Sequence, residues 1–436
     1  MVLPASASQP EGFTATSSPA LQMNLIRPFR ALRPLPERAA EIAAPPYDVL
    51  TGAEARRYAA GNPWSFLRVS KAEIDLPESV DPYSGIVYEK ARANLDKLIA
   101  CGALRRDRVC GFYAYRLEAG LHVQTGLGLV ASVQAYRDNR IKRHELTRPD
   151  KETDRVRHME ALGAQTGPAM LAYPRAPEVD RLLAESTIEA PDTAVTAIDG
   201  VRHSIWPITR PGVVDQLTRA FESLPALYIA DGHHRIAAAE RVATAPRSKE
   251  TAAEQARVPD GFLAVAFPHH AMRILDYNRV VTDLGGLSES VFLERVGERF
   301  DVFEASGQVR PAARGEFGLY LPGRWFRLRV HQNRVPLHDP VARLDVSILA
   351  QELLGPILSI TDLRRDSRID FVGGIRGLDE LERRVASDMA AAFALYPTAI
   401  EDLMAVADHG DVMPPKSTWF EPKLADGLLC HVLEDR

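Results

Sequence analysis

The chain reads as an α/β protein joined to an α+β block, and three observations predict this. Leu227-Tyr228-Ile229-Ala230 is an apolar, β-prone run that stops at Asp231-Gly232 and opens at once into an alanine-rich helix through Ile236-Ala237-Ala238-Ala239, the signature of a strand, a turn and a helix. Phe262-Leu263-Ala264-Val265-Ala266-Phe267 is a continuous apolar run, as expected of a strand covered on both faces. Past residue 281 the pattern changes. A helical period over 288–300, with Val291, Phe292, Val296 and Phe300 on one side, is followed by strand-like runs near 301–303, 317–321 and 325–330, a segregated α+β arrangement.

In chain order, the prolines of Ala43-Ala44-Pro45-Pro46-Tyr47-Asp48 forbid helix and predict an extended segment ending in a turn. Residues 51–60 predict a short helix, and Asn62-Pro63-Trp64-Ser65 restarts an extended segment over 66–69. Residues 82–100 have helical spacing, with Gly102 as the stop signal. Two β-like runs, 111–117 and 122–134, are separated by glycine punctuation and predict a hairpin. Residues 153–162 read as helix and 169–173 as a buried strand; a polar helix and two short strands then lead to the Asp231 turn. Residues 247–258 are charged and poor in aromatics, a surface loop or frayed helix, and 273–281 read as one strand. A helix over 344–354, a strand over 369–372 and two more helices complete the chain.

At 436 residues the chain is too long for a single core. The expected division is 1–22 as a disordered leader, 23–275 as an α/β domain with insertions, and 276–436 as a C-terminal α+β domain. The leader is rich in Ser, Ala, Thr and Pro and lacks the basic and apolar regions of a secretory signal. With 46% hydrophobic and 25% charged residues the composition is that of an ordinary globular protein. A net charge of -5 and a pI near 6.2 supply no global basic field, which argues against nucleic acid as the main partner. Three cysteines without a C-x-x-C pair indicate neither a disulfide framework nor a cysteine zinc site, and fit a reducing cytoplasm. No run of eighteen apolar residues occurs, so no transmembrane helix is expected. Nothing in the pattern fixes an oligomeric state.

The chemistry concentrates in three segments. Asp231-Gly232-His233-His234-Arg235 delivers a carboxylate, two imidazoles, a guanidinium and the free N–H groups of a helix start to one place, which suits a phosphate with an acid for Mg²⁺. Lys142-Arg143-His144-Glu145 sets a carboxylate among cations, where it can be held ionised and used as a base. It is not an H-E-x-x-H zinc motif, because Arg148 stands where the second histidine would be. Pro414-Pro415-Lys416-Ser417-Thr418-Trp419 offers an ammonium and two hydroxyls behind stiffening prolines, without the upstream glycines of a Walker A loop. The pairs His233-His234 and His269-His270 leave a metal-dependent hydrolase as an alternative. Arg235 disfavours it by repelling a divalent cation, and suits a polyphosphate.

Together these segments resemble the free serine kinases of the ParB/sulfiredoxin superfamily, and the whole chain resembles an uncharacterised prokaryotic family with the same Asp-Gly-His-His-Arg box. The resemblance implies a ParB/sulfiredoxin-like nucleotide-binding fold for the 23–275 domain, with the 276–436 domain completing the active site. It further implies transfer of a phosphoryl group between a nucleotide, ATP or ADP, and free L-serine or phosphoserine. It implies Glu145 as the base for the substrate hydroxyl and Asp231 as the Mg²⁺ ligand. Gly232, His233, His234 and Arg235 would cradle the phosphates, and His144, Lys416, Ser417 and Thr418 would bind substrate. A nucleotide-switched ParB-like binding module is a further alternative. The segment through Pro45-Pro46-Tyr47-Asp48 has no counterpart in the kinases and receives no role.

Overall fold

The computed structural model describes residues 24–245 and 260–433. The expected leader and the 247–258 stretch lie outside the described residues. The chain is mixed α/β with a separate antiparallel α+β sheet in its C-terminal part, as the pattern change predicts. A nine-stranded sheet runs in the order Ile141–Lys142, Leu227–Asp231, Ala169–Tyr173, Gly261–Pro268, His122–Ser132, Phe112–Ala119, Arg202–Ile208 and Thr193–Thr196, with Ile26–Arg27 pairing on His122–Ser132. Most of its ladders are antiparallel, including the expected hairpin of Phe112–Ala119 with His122–Ser132. Two are parallel: Leu227–Asp231 with Ile141–Lys142, and Gly261–Pro268 with Ala169–Tyr173.

The alternation of strands fixes which side chains go where. Phe262, Ala264 and Ala266 join Leu171, Ile229 and Ile236 in the core on one face, while Leu263, Val265 and Phe267 enter the cluster on the other. That second cluster also contains Phe292, Phe317 and Phe393, so one continuous apolar layer joins the large sheet to the C-terminal one. Each fully buried Phe in it contributes about 1.5–3 kcal/mol of transfer free energy. The C-terminal sheet is six-stranded and antiparallel, ordered Phe300–Ala305, Arg324–Val330, Glu316–Leu321, Ala391–Leu395, Tyr277–Val281 and Ile369–Gly373.

Several expectations need correction. Residues 66–69 do not extend: Leu67–Ser70 is a helical turn, because Phe66, Leu67, Val69 and Ser70 are all buried among helices and no strand lies alongside to pair with them. The single strand over 273–281 is two, Arg273–Leu275 and Tyr277–Val281, with different partners. The break falls at Asp276, whose carbonyl accepts from Gly374 N at 2.7 Å. The helix over 344–354 is α-helical for Asp345–Leu349 and then widens to a π-turn over Ala350–Leu354. The strand Ala391–Leu395 and the helix Pro211–Glu222 are additional.

After the six-stranded sheet the chain returns to its beginning. Trp419–Glu421 pairs with Arg273–Leu275, and Cys430–Val432 lies between Ala31–Pro34 and Ala164–Gln165. Between them Asp426 bridges to Ala44 through two backbone hydrogen bonds and buries its carboxyl to 2% exposure. Gly167 is required opposite, since a Cβ there would meet Asp426 Oδ1 at 2.8 Å. Burial pushes the Asp426 carboxyl up to about 7, against the pull of Arg235 and Arg155.

Asp426 therefore keeps its proton in the folded chain where an unfolded aspartate has released it. The stability contributed by the protonated form is complete below the ordinary aspartate value and is lost as pH rises to about 7. Asp426→Asn should flatten that loss between about pH 4 and about pH 7, read from urea midpoints across this range. A fall in the variant as steep as in the parent would contradict the assignment.

Candidate functional site

The site begins with a two-residue parallel ladder, Leu227↔Ile141 and Tyr228↔Lys142. Parallel strands end on the same side, so the residues after Lys142 arrive beside those after Ala230, at the carboxyl edge where ligands of α/β sheets bind. Asp408, from the helix Ile400–His409, locks the ladder by accepting from both Lys142 Nζ and Tyr228 OH at 2.8 Å. Met413 N then donates to the His144 carbonyl at 2.8 Å and brings in the Pro-Pro-Lys-Ser-Thr turn. Three segments that are far apart in sequence meet here.

The strand Leu227–Asp231 pairs with Ala169–Tyr173 through Ile229↔Leu171 and then slips register before Asp231↔Met170. Such a bulge re-aims the side chain that follows it. Gly232 takes φ 95° as the residue before the helix His233–Thr244, a conformation natural to glycine. A Cβ at this position would meet Arg235 Nε at 3.0 Å and Ala169 at 3.2 Å. No side chain caps the helix start and no acid occupies its first turn, so its positive end stays open to an anion.

Asp231 sits between two cations, with Arg235 Nη2 at 3.1 Å and Lys423 Nζ at 3.6 Å from Oδ2. Burial alone would raise its pKa, but Lys423 and Arg235 overcome that and hold the carboxyl well below the usual carboxylate range. Arg235 is anchored by a 2.6 Å bond to the Pro168 carbonyl. Glu145 behaves oppositely: burial pushes it above the usual range and Asp231 adds to this, while Lys416, Arg364 and Lys423 restrain the rise. Its Oε2 lies 3.9 Å from His233 Nδ1, and the His144 and His233 rings meet edge to face at 4.5 Å. Burial lowers the pKa of both imidazoles, that of His144 to about 4, so both are neutral at physiological pH.

Of the residues singled out from sequence, Asp231, Gly232, His233, Arg235, His144, Glu145 and Lys416 converge. Lys416 stands in the field of Glu145 and Asp48, with Nζ 5.7 Å from the centre of the Tyr277 ring. It adopts φ 58°, held from behind by the buried guanidinium of Arg279, which donates to the Pro415 and Lys416 carbonyls. His234 turns away and accepts from Arg148 N at 3.1 Å. Ser417 uses its hydroxyl within the turn, donating to the Pro414 carbonyl at 2.7 Å, and its carbonyl accepts from Thr398 Oγ1 at 2.9 Å. Thr418 is half-buried on the same turn. His269 and His270 meet edge to face at 5.5 Å and do not join His233. Among the described residues, the cluster with metal-ligand spacing is His144, Glu145 and His233.

Sequence reasoning missed Lys423 and Asp48. Lys423 reaches Asp231 from the returning tail, and Asp48 lies in the electrostatic neighbourhood of His234, Arg235 and Lys416. Beside it, Tyr47 stacks under the Arg155 guanidinium at 3.9 Å and helps line a small polar cavity with Arg235 and Asp426. A wider groove of about 510 Å³ lies on the C-terminal sheet. There Arg383 and Arg384 are paired with Glu380, Asp370 and Asp388, which leaves those two cations little unpaired charge for a ligand.

The family model described as "Protein of unknown function (DUF1015)" matches residues 26–347. No curated protein matches the chain. Among solved structures, a free serine kinase in complex with AMP is 13% identical, with 67% of this chain and 86% of that chain covered and a TM-score of 0.35. SbnI with a C-terminal truncation, from Staphylococcus aureus, is 10% identical over 71% of this chain and 89% of that one, with a TM-score of 0.39. A conserved hypothetical protein from Pyrococcus furiosus is 14% identical over 70% and 95%, with a TM-score of 0.36. Likenesses at this level carry no activity to the present chain.

Gly232→Ala should cost about 1–2 kcal/mol for the left-handed backbone, with a further loss from the contacts on Arg235 and Ala169. Denaturant unfolding checks this, and an unchanged midpoint would contradict the geometry described for the turn.

Proposed function

The chain thus belongs to the DUF1015 family, which has no assigned function, and we propose that it is a Mg²⁺-dependent phosphotransferase acting between a nucleotide and free L-serine or phosphoserine. The observation that supports this reading is the pairing of unlike carboxylates at one corner. Asp231 is held ionised among cations beside an open helix start, while Glu145 is raised toward the range of a working base a few ångströms from His233.

Phosphoryl transfer asks a protein mainly to position groups and neutralise charge, with one base for the nucleophile. In this reading the N–H groups at the start of His233–Thr244, with Arg235 and His233, receive the phosphates of ATP or ADP, and His234, turned away, takes no part. Lys416 and Lys423 neutralise charge that builds on the transferred group. Glu145 takes the proton of the serine hydroxyl, and the 416–418 turn with His144 lies against the amino acid. Asp231, kept ionised by the two cations on Oδ2, would hold the Mg²⁺. A single carboxylate completed by phosphate oxygens is an ordinary Mg²⁺ arrangement, and the bound ion would offset phosphate charge. The part of the chain up to 275 holds the nucleotide, and the part from 276 completes the site through Lys416 and Lys423. No helix among the described residues is long and apolar enough to cross a membrane, which is compatible with the expected cytoplasmic setting.

Glu145→Gln and Asp231→Asn should each lower phosphoserine formation by at least about a hundredfold. Turnover in either variant close to that of an active parent would refute the assignment.

The pH profile offers an independent check. Glu145 works ionised, so kcat/KM should fall with falling pH through a midpoint above the ordinary glutamate value. Lys416 favours the ionised carboxylate, so Lys416→Met should move that midpoint to higher pH. An unmoved or lowered midpoint would contradict the role of Glu145.

A further inference from the structure

His144 is 2% exposed and His233 6%, and Nδ1 of His144 has no hydrogen-bond partner among the described residues. A buried polar atom left unsatisfied costs about 1–3 kcal/mol, and an unrepresented ion is one of the ordinary explanations. The Ile229 carbonyl engages the His144 ring, the arrangement by which a backbone oxygen fixes one tautomer and presents the other nitrogen's lone pair. Glu145 adds a carboxylate to the two imidazoles, and one ligand atom from each residue lies within 4.8 Å of the others.

We propose that His144, Glu145 and His233 form a binding site for a first-row divalent transition metal of the Zn²⁺ class. Bonds of about 2.0–2.2 Å allow two ligands of one ion to stand at most roughly 4.3 Å apart. His233 Nδ1 and Glu145 Oε2 stand inside that linear limit at 3.9 Å, and closure to the roughly 3.4 Å of a tetrahedral shell falls to Glu145, whose side chain is 39% exposed. Two imidazoles and one carboxylate suit Zn²⁺, Fe²⁺ or Ni²⁺, whereas Mg²⁺ and Ca²⁺ prefer all-oxygen shells. Three protein ligands leave the fourth position open. Nearby cations are engaged elsewhere: Arg235 and Lys423 contact Asp231, and Lys416 faces the Tyr277 ring.

This site differs from the pairing of His233-His234 with His269-His270, since it draws on one histidine from each of two segments joined by the parallel ladder. It goes beyond the phosphotransferase reading and does not rest on it. Glu145 can act as a base only while no metal is held there, so the two uses alternate, and Zn²⁺ bound at this site would compete with phosphotransfer.

The test uses the full chain, stripped with a chelator and titrated with Zn²⁺ or Co²⁺ in the absence of nucleotide and serine. One equivalent of Zn²⁺ per chain by equilibrium dialysis, with the intense visible absorption of tetrahedral Co²⁺, is the expected result. Glu145→Gln, on a half-exposed residue, should weaken binding by more than the roughly 10- to 100-fold that loss of an outer-shell partner costs. His269→Gln should leave uptake unchanged. Absence of stoichiometric uptake by the parent, or equal affinity in parent and Glu145→Gln, would overturn the proposal whatever the phosphotransfer assay shows.

Discussion

The site depends on two residue pairs in parallel register, Leu227↔Ile141 and Tyr228↔Lys142. A ladder this short is weak by itself, and the chain reinforces it from both sides. Leu227 N donates to the Arg140 carbonyl at 3.0 Å, and Asp408 ties together the side chains of the Tyr228↔Lys142 pair. With that register, His144 and Glu145 come level with Ala230 and Asp231, and their side chains reach His233. A slip by one residue would turn the side chains of Ile141 and Lys142 to opposite faces and place a buried isoleucine where Lys142 now meets Asp408.

From that placement the electrostatics follow by competition. Transferring a carboxylate out of water costs several kcal/mol, and the two acids at this corner meet the cost differently. Asp231 receives two cations on one oxygen and stays ionised. Glu145 has cations only at a distance, with Asp231 opposing them, so burial wins and its proton is held more tightly. Acids whose environments push their pKa values apart are what acid–base chemistry requires. The tail that returns from the C-terminal sheet supplies Lys423, so the full charge balance at Asp231 exists only when that tail has docked.

Much of this was legible in the sequence because it is local. The Asp231-Gly232 turn, the flat apolar run ending at Phe267 and the hairpin beginning at Phe112 each carry their own periodicity or punctuation. The strand Ala391–Leu395 was not legible, since Ala391-Ala392-Phe393-Ala394-Leu395 holds no β-branched residue and suits a helix equally well. Its state is decided by Tyr277–Val281 and Glu316–Leu321 on either side. Phe66-Leu67-Arg68-Val69 failed for the opposite reason: its β-prone residues are buried where no strand offers a ladder. Within the site, Lys423 and Asp48 come from almost two hundred residues on either side of Asp231, and no window of sequence records a contact made by chain return. The bulge before Asp231 and the Asp408 clamp were equally invisible, because both are properties of pairing.

The central claim is that the 231–235 corner receives a polyphosphate with Glu145 facing its far end. A crystal structure of the full chain with ADP and Mg²⁺ tests it most directly. The account predicts phosphate oxygens on the N–H groups that open the helix His233–Thr244, with Lys416 or Lys423 in contact and the terminal phosphate on the Glu145 side. Phosphates seated elsewhere, for example against Arg376, Arg383 and Arg384 on the C-terminal sheet, would contradict it.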